Sequence, residues 1–244
     1  MNYTEKSTLA EIVKNDINTA KIFESYGLDF CCNGKRPLDE ACHEKNLEPK
    51  KILDEISAKT DNNESADFNS MDIKDLTDYI IGKHHEYIRN IIPTIRSFGE
   101  KVVRAHSANH SEVKKIAELY MRVSIDLENH LMKEENILFP YFKSLSQAKN
   151  TSMPIPVPHF YTVRNPINMM EQEHTDAGDI FHEIRKLSND YKTPPDACNT
   201  FIAYYNELKN FEDDLHVHIH LENNILHPRA IALEDELRNS GLIK

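Results

Sequence analysis

The sequence predicts an all-α protein in which a four-helix bundle follows a small N-terminal helical domain. Glycine occurs only 6 times in 244 residues and Trp is absent, while Leu, Ile, Glu, Lys and Ala fill long stretches without turn residues. This composition favours helices over strands. In the later part of the chain, four such stretches follow one another with three connections between them, which is the pattern of a four-helix bundle.

The first 59 residues carry the signals of several short helices. The stretch "STLAEIVKND" opens on a serine cap, "TAKIFESYG" ends at a glycine, and "PLDEACHEK" and "EPKKILDEISAK" begin at or near a proline, which suits a first helical turn. Residues 60–70, "TDNNESADFNS", are polar and rich in turn residues. We therefore expect a small helical domain over 1–59, a linker over 60–70 and the bundle over 71–244.

Helix-breaking residues divide the bundle into four predicted segments. The connections between them are "AHSANH", the proline-rich "SQAKNTSMPIPVPHF" and "NDYKTPP". The second connection, 146 to about 164, is longer than neighbouring bundle helices need, so it either wraps one end of the bundle or covers a site. The predicted segments are 71–98, 111–145, 165–190 and 196–233.

Charge and cysteine content exclude several classes of partner. A net charge of -11 and a pI near 5.6 would repel nucleic acid and anionic membrane surfaces. No apolar run reaches the ~18–20 residues of a membrane span, and "MNYTEKSTLA" lacks the apolar stretch of a signal peptide. Four cysteines, two of them adjacent, do not make a disulfide framework. We therefore expect free thiols, no nucleic-acid or membrane partner, and a cytoplasmic protein.

One stretch of the bundle occurs twice. Residues 130–140 read "HLMKEENILFP", and 88 positions later residues 218–228 read "HIHLENNILHP". Positions i and i+4 share a helix face, so each copy presents a histidine and a glutamate in one direction. A single pair of this kind is ordinarily a solvated ion pair. Its repetition, together with the following Asn-Ile-Leu and Pro, predicts two halves of a metal site: His130 with Glu134, and His218 with Glu222.

A further histidine precedes each copy at nearly the same distance. His85 lies 45 residues before His130, and His174 lies 44 residues before His218. A repeated helical hairpin would bring these four histidines and the two glutamates to the centre of the bundle, where two-metal bundles place their ligands. Spacing alone leaves open whether His85 or its neighbour His84 is the ligand.

The remaining histidines have no partner at a repeated ligand spacing. We expect His84, His216 and His220 at the surface or behind the ligands, because they lie on other helix faces. Surface or capping roles are expected for the others, namely His43, His106, His110, His159, His182 and His227.

The types of donor atom indicate which metal is expected. A mixed set of imidazole and carboxylate groups without thiolate favours iron over manganese or zinc. If Glu134 and Glu222 each bridge both ions, two histidines remain for each ion, and an added oxo or hydroxo bridge leaves one position open on each. We therefore expect two irons per chain, bridged by carboxylates and able to bind a small molecule.

Cys31 and Cys32 form a second candidate site within "YGLDFCCNGK". Adjacent cysteines do not readily bridge each other, but as thiolates they bind a soft metal or react with an oxidant or with nitric oxide. Buried packing is an equally ordinary role for free cysteines. We therefore treat the pair as candidate catalytic residues for redox chemistry or for handling metal or nitric oxide.

These motifs together resemble the RIC family, for repair of iron centres, whose bundle is hemerythrin-like. "DFCCNGK" is similar to the family's double-cysteine motif, and "HLMKEENILFP", "EQEHTDAGD" and "HIHLENNILHP" are similar to its di-iron motifs. The resemblance covers about Thr8 to Arg229. It implies His85 as the ligand of the first helix, eight residues before Pro93, and it implies the other five ligands named above. His227 departs from the phenylalanine that usually stands before the closing proline.

The resemblance implies a cytoplasmic protein that repairs iron–sulfur clusters damaged by nitric oxide or oxidative stress, by donating iron. The expected partners are damaged iron–sulfur proteins and a diatomic ligand such as nitric oxide. Two alternatives stay open: reduction of nitric oxide at the diferrous centre, and a hemerythrin-like protein that binds oxygen or nitric oxide without turnover. The N-terminal domain is small for an independent core, so we expect it to pack either on its own bundle or on that of a second chain in a homodimer, and the sequence leaves both open.

Overall fold

The structure, a computed structural model, describes residues 3–59 and 67–244. Within these residues the chain is helical and contains no β-strand. The fold class predicted from the sequence is therefore confirmed. In chain order the helices are α1 (Leu9–Asn15), α2 (Ala20–Ser25), α3 (Leu38–Glu44), α4 (Pro49–Lys59), α5 (Ile73–Ile80), α6 (Glu86–His106), α7 (Glu112–Lys133), α8 (Phe139–Thr151), α9 (Arg164–Leu187), α10 (Asn199–Leu221) and α11 (His227–Asn239).

The larger unit, Asp78–Ser144 with Val157–Leu215, is the helical bundle. Helix α7 packs on α6 and α9, and each helix buries residues spaced three or four apart on one face. The Phe211 ring of α10 stacks on Phe181 of α9 with centroids 5.5 Å apart, and it meets Tyr120 of α7 edge-on at 5.6 Å. Burial of each such ring contributes about 2 kcal/mol. These aromatic side chains hold the helices around a common core.

The other unit contains the described residues up to Thr77, with Leu145–Pro156 and His216–Lys244. Thr8 caps helix α1, because its hydroxyl accepts a hydrogen bond from the Glu11 amide at 3.2 Å, so the cap is Thr8 and not the expected Ser7. Helix α2 ends before Gly27, as predicted, and Gly27 has a positive φ of 63°. Arg229 of α11 donates to the carbonyls of Phe68 and Met71.

The predicted linker falls partly outside the described residues, since 60–66 are not among them. Its remainder forms a turn in which the Asp67 carboxylate accepts hydrogen bonds from the amides of Asn69 and Ser70. The boundaries proposed for the N-terminal domain and the linker stay predictions.

Three π-helical turns interrupt the long helices in the described part of the chain. They are Ile81–His85, Glu134–Leu138 and Glu222–Leu226, each with a backbone hydrogen bond from residue i+5 to residue i. Each turn contains one of the predicted ligands: His85, Glu134 or Glu222. Pro140 and Pro228 stand two residues after the last two turns, where the missing N–H of proline already removes a regular helical bond. Single π turns of this kind occur frequently at functional sites.

Helix ends differ from the predictions in two places that matter for the bundle. Helix α6 continues to His106, beyond the end expected at residue 98. Gly99 does not end the helix but allows Tyr204 to pack closely against it, since a Cβ at this position would lie 3.1 Å from the Tyr204 hydroxyl oxygen. Helix α8 continues to Thr151 and shortens the predicted long connection to 152–163. In the parts of the chain that the structure describes, no helix is both long and apolar enough to cross a bilayer.

Candidate metal centre

Glu134 stands between two histidines. Its side chain is 0% exposed and begins the π turn after α7. One oxygen, Oε2, lies 3.5 Å from His85 Nε2, and the other, Oε1, lies 3.4 Å from His130 Nε2. Among the described residues neither oxygen has a hydrogen-bond partner. Burying a carboxylate without hydrogen bonds to its oxygens costs free energy of folding unless a cation neutralises its charge. The two oxygens face different histidines, so one carboxylate can serve two cations.

Two further contacts involve predicted histidine ligands, one in each unit. His174 Nε2 of α9 lies 3.0 Å from His130 Nε2, and both rings are buried. His218 Nε2 of α10 lies 2.9 Å from Glu222 Oε1, one helical turn further on, and both of these side chains are buried as well. Imidazole nitrogen and carboxylate oxygen are donor atoms that divalent metals bind, and in both contacts they are buried.

The structure places the six predicted ligands in two sets, each within one unit. In the larger unit, His85 and His130 lie beside the Glu134 carboxylate, and His174 lies beside His130. In the other unit, His218 lies beside Glu222. All six side chains are buried.

The donor set fits metal cations that prefer nitrogen and oxygen ligands. Metal bonds of about 2.1 Å to imidazole nitrogen and carboxylate oxygen hold such atoms roughly 3–3.5 Å apart. The separations of 3.4 and 3.5 Å between Glu134 and its two histidines agree with this. The buried oxygens of Glu134, which lack hydrogen bonds among the described residues, supply the negative charge that a cation needs.

The histidines nearest Glu134 are held by a second row of carboxylates. His85 Nδ1 donates to Glu135 at 2.7 Å, and Arg89 donates to the same oxygen at 2.5 Å. These bonds lower the pKa of Glu135 although burial opposes them. With Nδ1 carrying the proton, the Nε2 lone pair of His85 points towards Glu134 and is available to a metal.

His130 has the same support from another helix. Its Nδ1 donates to Glu173 of α9 at 2.8 Å, and Lys133 also donates to Glu173. The hydrogen bond from His130 is the main cause that lowers the pKa of Glu173 to about 2. Glu135 and Glu173 were not predicted from the sequence. The sequence does contain a signal for both residues, since each lies directly beside a predicted ligand, in "KEEN" and "EQEH". A metal-binding imidazole donates a hydrogen bond from its other ring nitrogen to an acceptor such as a carboxylate.

The structure also places the histidines that were not predicted as ligands. His84 turns away from Glu134, and its Nδ1 lies 3.0 Å from Asp214. His227 is completely buried at the start of α11, so the expected surface or capping role was wrong. The π turn before it adds a residue and rotates the following side chains by about 100° relative to a regular helix. His106 Nε2 contacts the exposed Cys198 at 3.2 Å and lowers the pKa of that thiol.

Cys31 and Cys32 lie in a turn that Asp29 organises. The Asp29 carboxylate accepts hydrogen bonds from the Cys31 amide at 3.1 Å, the Cys32 amide at 2.9 Å and the Asn33 side chain at 2.7 Å. These bonds lower the pKa of Asp29 although its burial acts in the opposite direction. Cys31 is buried and Cys32 is half-buried. Both are free thiols, as predicted.

His220 packs against this turn and makes the unit sensitive to acid. Its ring lies 5.7 Å from the Phe30 ring, and burial lowers its pKa from 6.5 to about 4. The unfolded chain therefore binds a proton below pH 6.5 that the folded chain binds only near pH 4, so stability falls as pH decreases through that window. We expect metal-free protein to lose about 1 kcal/mol per pH unit more than its His220→Gln variant between pH 6 and 5. Denaturant unfolding at both pH values measures the difference, and equal pH slopes would contradict it.

Comparison with known families gives a match for each of the two parts of the chain. Residues 5–60 match ScdA_N, a domain of unknown function (DUF542), and residues 76–230 match the hemerythrin HHE cation binding domain. The chain is 33% identical over 226 residues to the iron-sulfur cluster repair protein YtfE of Citrobacter koseri, covering 93% of this chain and 97% of that protein. It is 32% identical, with the same coverage, to the YtfE proteins of Escherichia coli O8 and Shigella boydii serotype 4.

Proposed function

The chain belongs to the RIC family of iron–sulfur cluster repair proteins with a hemerythrin HHE domain, and from this premise we propose that it is a di-iron protein that restores damaged clusters by donating iron. The relatives are named for the repair of iron–sulfur clusters, and the HHE domain is described as cation binding. Both descriptions agree with the buried histidine and glutamate side chains described above.

The observation that carries the proposal is the position of the Glu134 carboxylate between two histidines. A carboxylate with one oxygen towards His85 and the other towards His130 supports two metal ions rather than one. His174 stands beside His130, and His218 stands beside Glu222. We therefore assign the ligands as His85, His130, His174 and His218, with Glu134 and Glu222 as the bridging carboxylates.

Iron is the metal that this set of ligands favours, with manganese or zinc as weaker candidates. When bound, two ferrous ions would supply a labile store of iron with open positions for a diatomic ligand such as nitric oxide. The chain's own residues bind and orient: Glu135 and Glu173 hold the protons on His85 and His130, and the buried surroundings exclude water. Imidazole and carboxylate hold ferrous iron less tightly than a thiolate cage does, which agrees with a donor of iron.

The test of the proposal is metal analysis followed by transfer. We expect protein purified without oxygen to contain about two irons per chain, the number of cations that two bridging carboxylates join. It should reactivate an iron–sulfur enzyme whose cluster has been damaged by nitric oxide, and lose iron as it does so. Zinc-loaded protein is the matched control and should restore no activity. Reactivation in which the protein keeps all its iron would contradict donation.

The same preparation tests reduction of nitric oxide. Under anaerobic nitric oxide, a reductase forms nitrous oxide catalytically, whereas an iron donor forms at most a stoichiometric amount. Reversible binding of oxygen or nitric oxide without repair would instead indicate a carrier. We further propose damaged iron–sulfur proteins as the partners and the cytoplasm as the location, in agreement with the four free thiols. The homodimer stays a prediction.

A further inference from the structure

The two adjacent thiols have the separation of a metal-binding pair. Cys31 Sγ and Cys32 Sγ lie 3.8 Å apart, too far for a disulfide, which requires about 2 Å. Two thiolates bound tetrahedrally to one ion at about 2.3 Å lie roughly 3.8 Å from each other. An oxygen of Asp29 joins them, since the three donor atoms lie within 4.8 Å of one another. The turn therefore presents two sulfurs and one oxygen on the same side.

The charges in this turn favour a cation. Asp29 is anionic, and its hydrogen bond to the Cys31 thiol is 3.3 Å long. The hydrogen bond with Cys32, together with burial, raises the pKa of Cys31 well above its usual value. Two thiolates beside one carboxylate repel one another, so the turn resists ionisation on its own. A bound metal ion reverses this balance, because its charge outweighs that of its neighbours.

Asn224 holds the backbone of the turn in place. Its amide Nδ2 donates to the Cys31 carbonyl at 3.2 Å and approaches the Phe30 carbonyl at 3.4 Å. His220 Nδ1 lies 3.4 Å from the same Phe30 carbonyl. Asn224 belongs to the π turn that begins with Glu222, so one short segment carries both a metal ligand and the support of the two thiols.

The first copy of the repeat uses its equivalent asparagine differently. Asn136 Nδ2 donates to the Met132 carbonyl in its own helix at 2.7 Å. The repeated "NIL" segments thus share a π turn, but the asparagine of the second copy, Asn224, donates to the double-cysteine turn instead of to its own helix. Asn136 is therefore a matched control, because it is the same residue type in the same kind of turn and its side-chain amide donates within its own helix.

We propose that Cys31 and Cys32 form a second metal site, a two-thiolate site for a soft or borderline divalent cation, and that Asn224 is its positioning residue. Binding forms two metal–sulfur bonds and releases the two thiol protons, with no change of oxidation state. The remaining positions on the ion are open to water or to a thiol of another protein, which suits passage of a metal rather than storage. The use of this site in iron transfer rests on the proposed function, but the binding itself does not.

Cadmium is a suitable probe because its bonds to thiolate produce an ultraviolet charge-transfer band that histidine and carboxylate ligands do not. We expect full-length protein to show this band with about one ion per chain, as two thiolates on one ion require. Cys31→Ser and Cys32→Ser should each remove most of it. Because Cys31 is buried, the half-buried Cys32 is the decisive position if Cys31→Ser does not fold. Cys198→Ser should leave the band unchanged.

The asparagine pair tests the positioning role. We expect Asn224→Ala to weaken cadmium binding at the thiols by about tenfold, the lower end of the effect of a residue that orients a ligand. Asn136→Ala should leave it unchanged, which separates positioning from a general effect on the π turn. Equal affinities of the two variants would overturn the role of Asn224.

The proposal for the thiol site and the proposal for the di-iron site can be contradicted independently of each other. Protein with Glu134→Leu and Glu222→Leu should keep the thiolate band while losing the metal of the bundle. A band that persists in the Cys31→Ser, Cys32→Ser double variant would overturn the thiol site and leave the di-iron proposal untouched. Normal cadmium binding at the thiols in protein that never holds iron would overturn the di-iron proposal and leave the thiol site untouched.

Discussion

Protein with both Glu134→Leu and Glu222→Leu is expected to lose both metal ions and, with them, all repair activity. These carboxylates are the proposed bridging ligands, so no pair of cations would keep a bridging ligand once they are removed. Metal analysis after anaerobic purification should give less than about a tenth of the wild-type content, because loss of ligands shared by two ions exceeds the 10–100-fold effect of supporting residues. Each single variant should retain less than half of the metal.

The same double variant is expected to be at least as stable as metal-free wild-type protein. Both glutamates are 0% exposed, and burying a carboxylate without a cation is costly. Replacing buried charged groups by apolar ones of similar size often stabilises a protein by about 1–4 kcal/mol. Denaturant unfolding of metal-free samples measures this. A metal-free double variant that is strongly destabilised would contradict the interpretation of both carboxylates as ligands.

Glu183→Leu is the matched control for these changes. Glu183 lies on α9 in the bundle, but it is exposed and is not among the six proposed ligands. We expect wild-type metal content and activity for this variant. Loss of metal in Glu183→Leu would show that removing any acidic residue is sufficient, and the special role of the two buried glutamates would be lost.

Removal of the supporting carboxylates is expected to have the second largest effect. Glu173→Ala and Glu135→Ala should each weaken metal binding about 10–100-fold, because His130 and His85 lose the acceptor that fixes the proton on Nδ1. The metal stays bound at high concentration, so the change appears as faster loss of iron to a chelator. Competition with a coloured chelator measures the affinity directly.

Variants of the lysine and arginine that bind these carboxylates separate the effect of histidine orientation from the effect of net charge. Lys133→Met removes a donor to Glu173 and leaves its hydrogen bond with His130, and Arg89→Met does the same at Glu135. We expect these variants to bind metal within about threefold of wild type, as surface ion pairs contribute only ~0–1 kcal/mol. If Lys133→Met weakened the site as strongly as Glu173→Ala, net charge rather than orientation of the histidine would be the cause.

Most of the candidate metal ligands could be predicted from the sequence because they recur at a regular spacing. His130 with Glu134 and His218 with Glu222 repeat an i,i+4 spacing that a helix converts into a common face. Helical composition and the absence of glycine in most segments likewise predicted the fold class. Local chemistry also sufficed at Gly27, where a positive φ ends α2.

Other features depend on contacts between residues far apart in the chain. The choice of His85 over His84 follows from which ring faces Glu134 and which faces Asp214, and adjacent residues of one helix do not reveal this by spacing. The end of α6 depends on the Tyr204 hydroxyl beside Gly99. The burial of His227 depends on a π turn that shifts the side chains after it.

The sequence by itself determined that this protein is helical and repeated, with histidine and glutamate on matched helix faces and two adjacent thiols. Periodicity and residue type are local properties, and they persist in any fold that the helices adopt. Only the tertiary structure decided that Glu134 turns its two oxygens to two different histidines, that Glu173 supports His130, and that Asn224 rather than Asn136 contacts the cysteine turn. The contacts of Glu134 with His85, of Glu173 with His130 and of Asn224 with Cys31 join residues 49, 43 and 193 positions apart, and only packing of the helices brings such residues together.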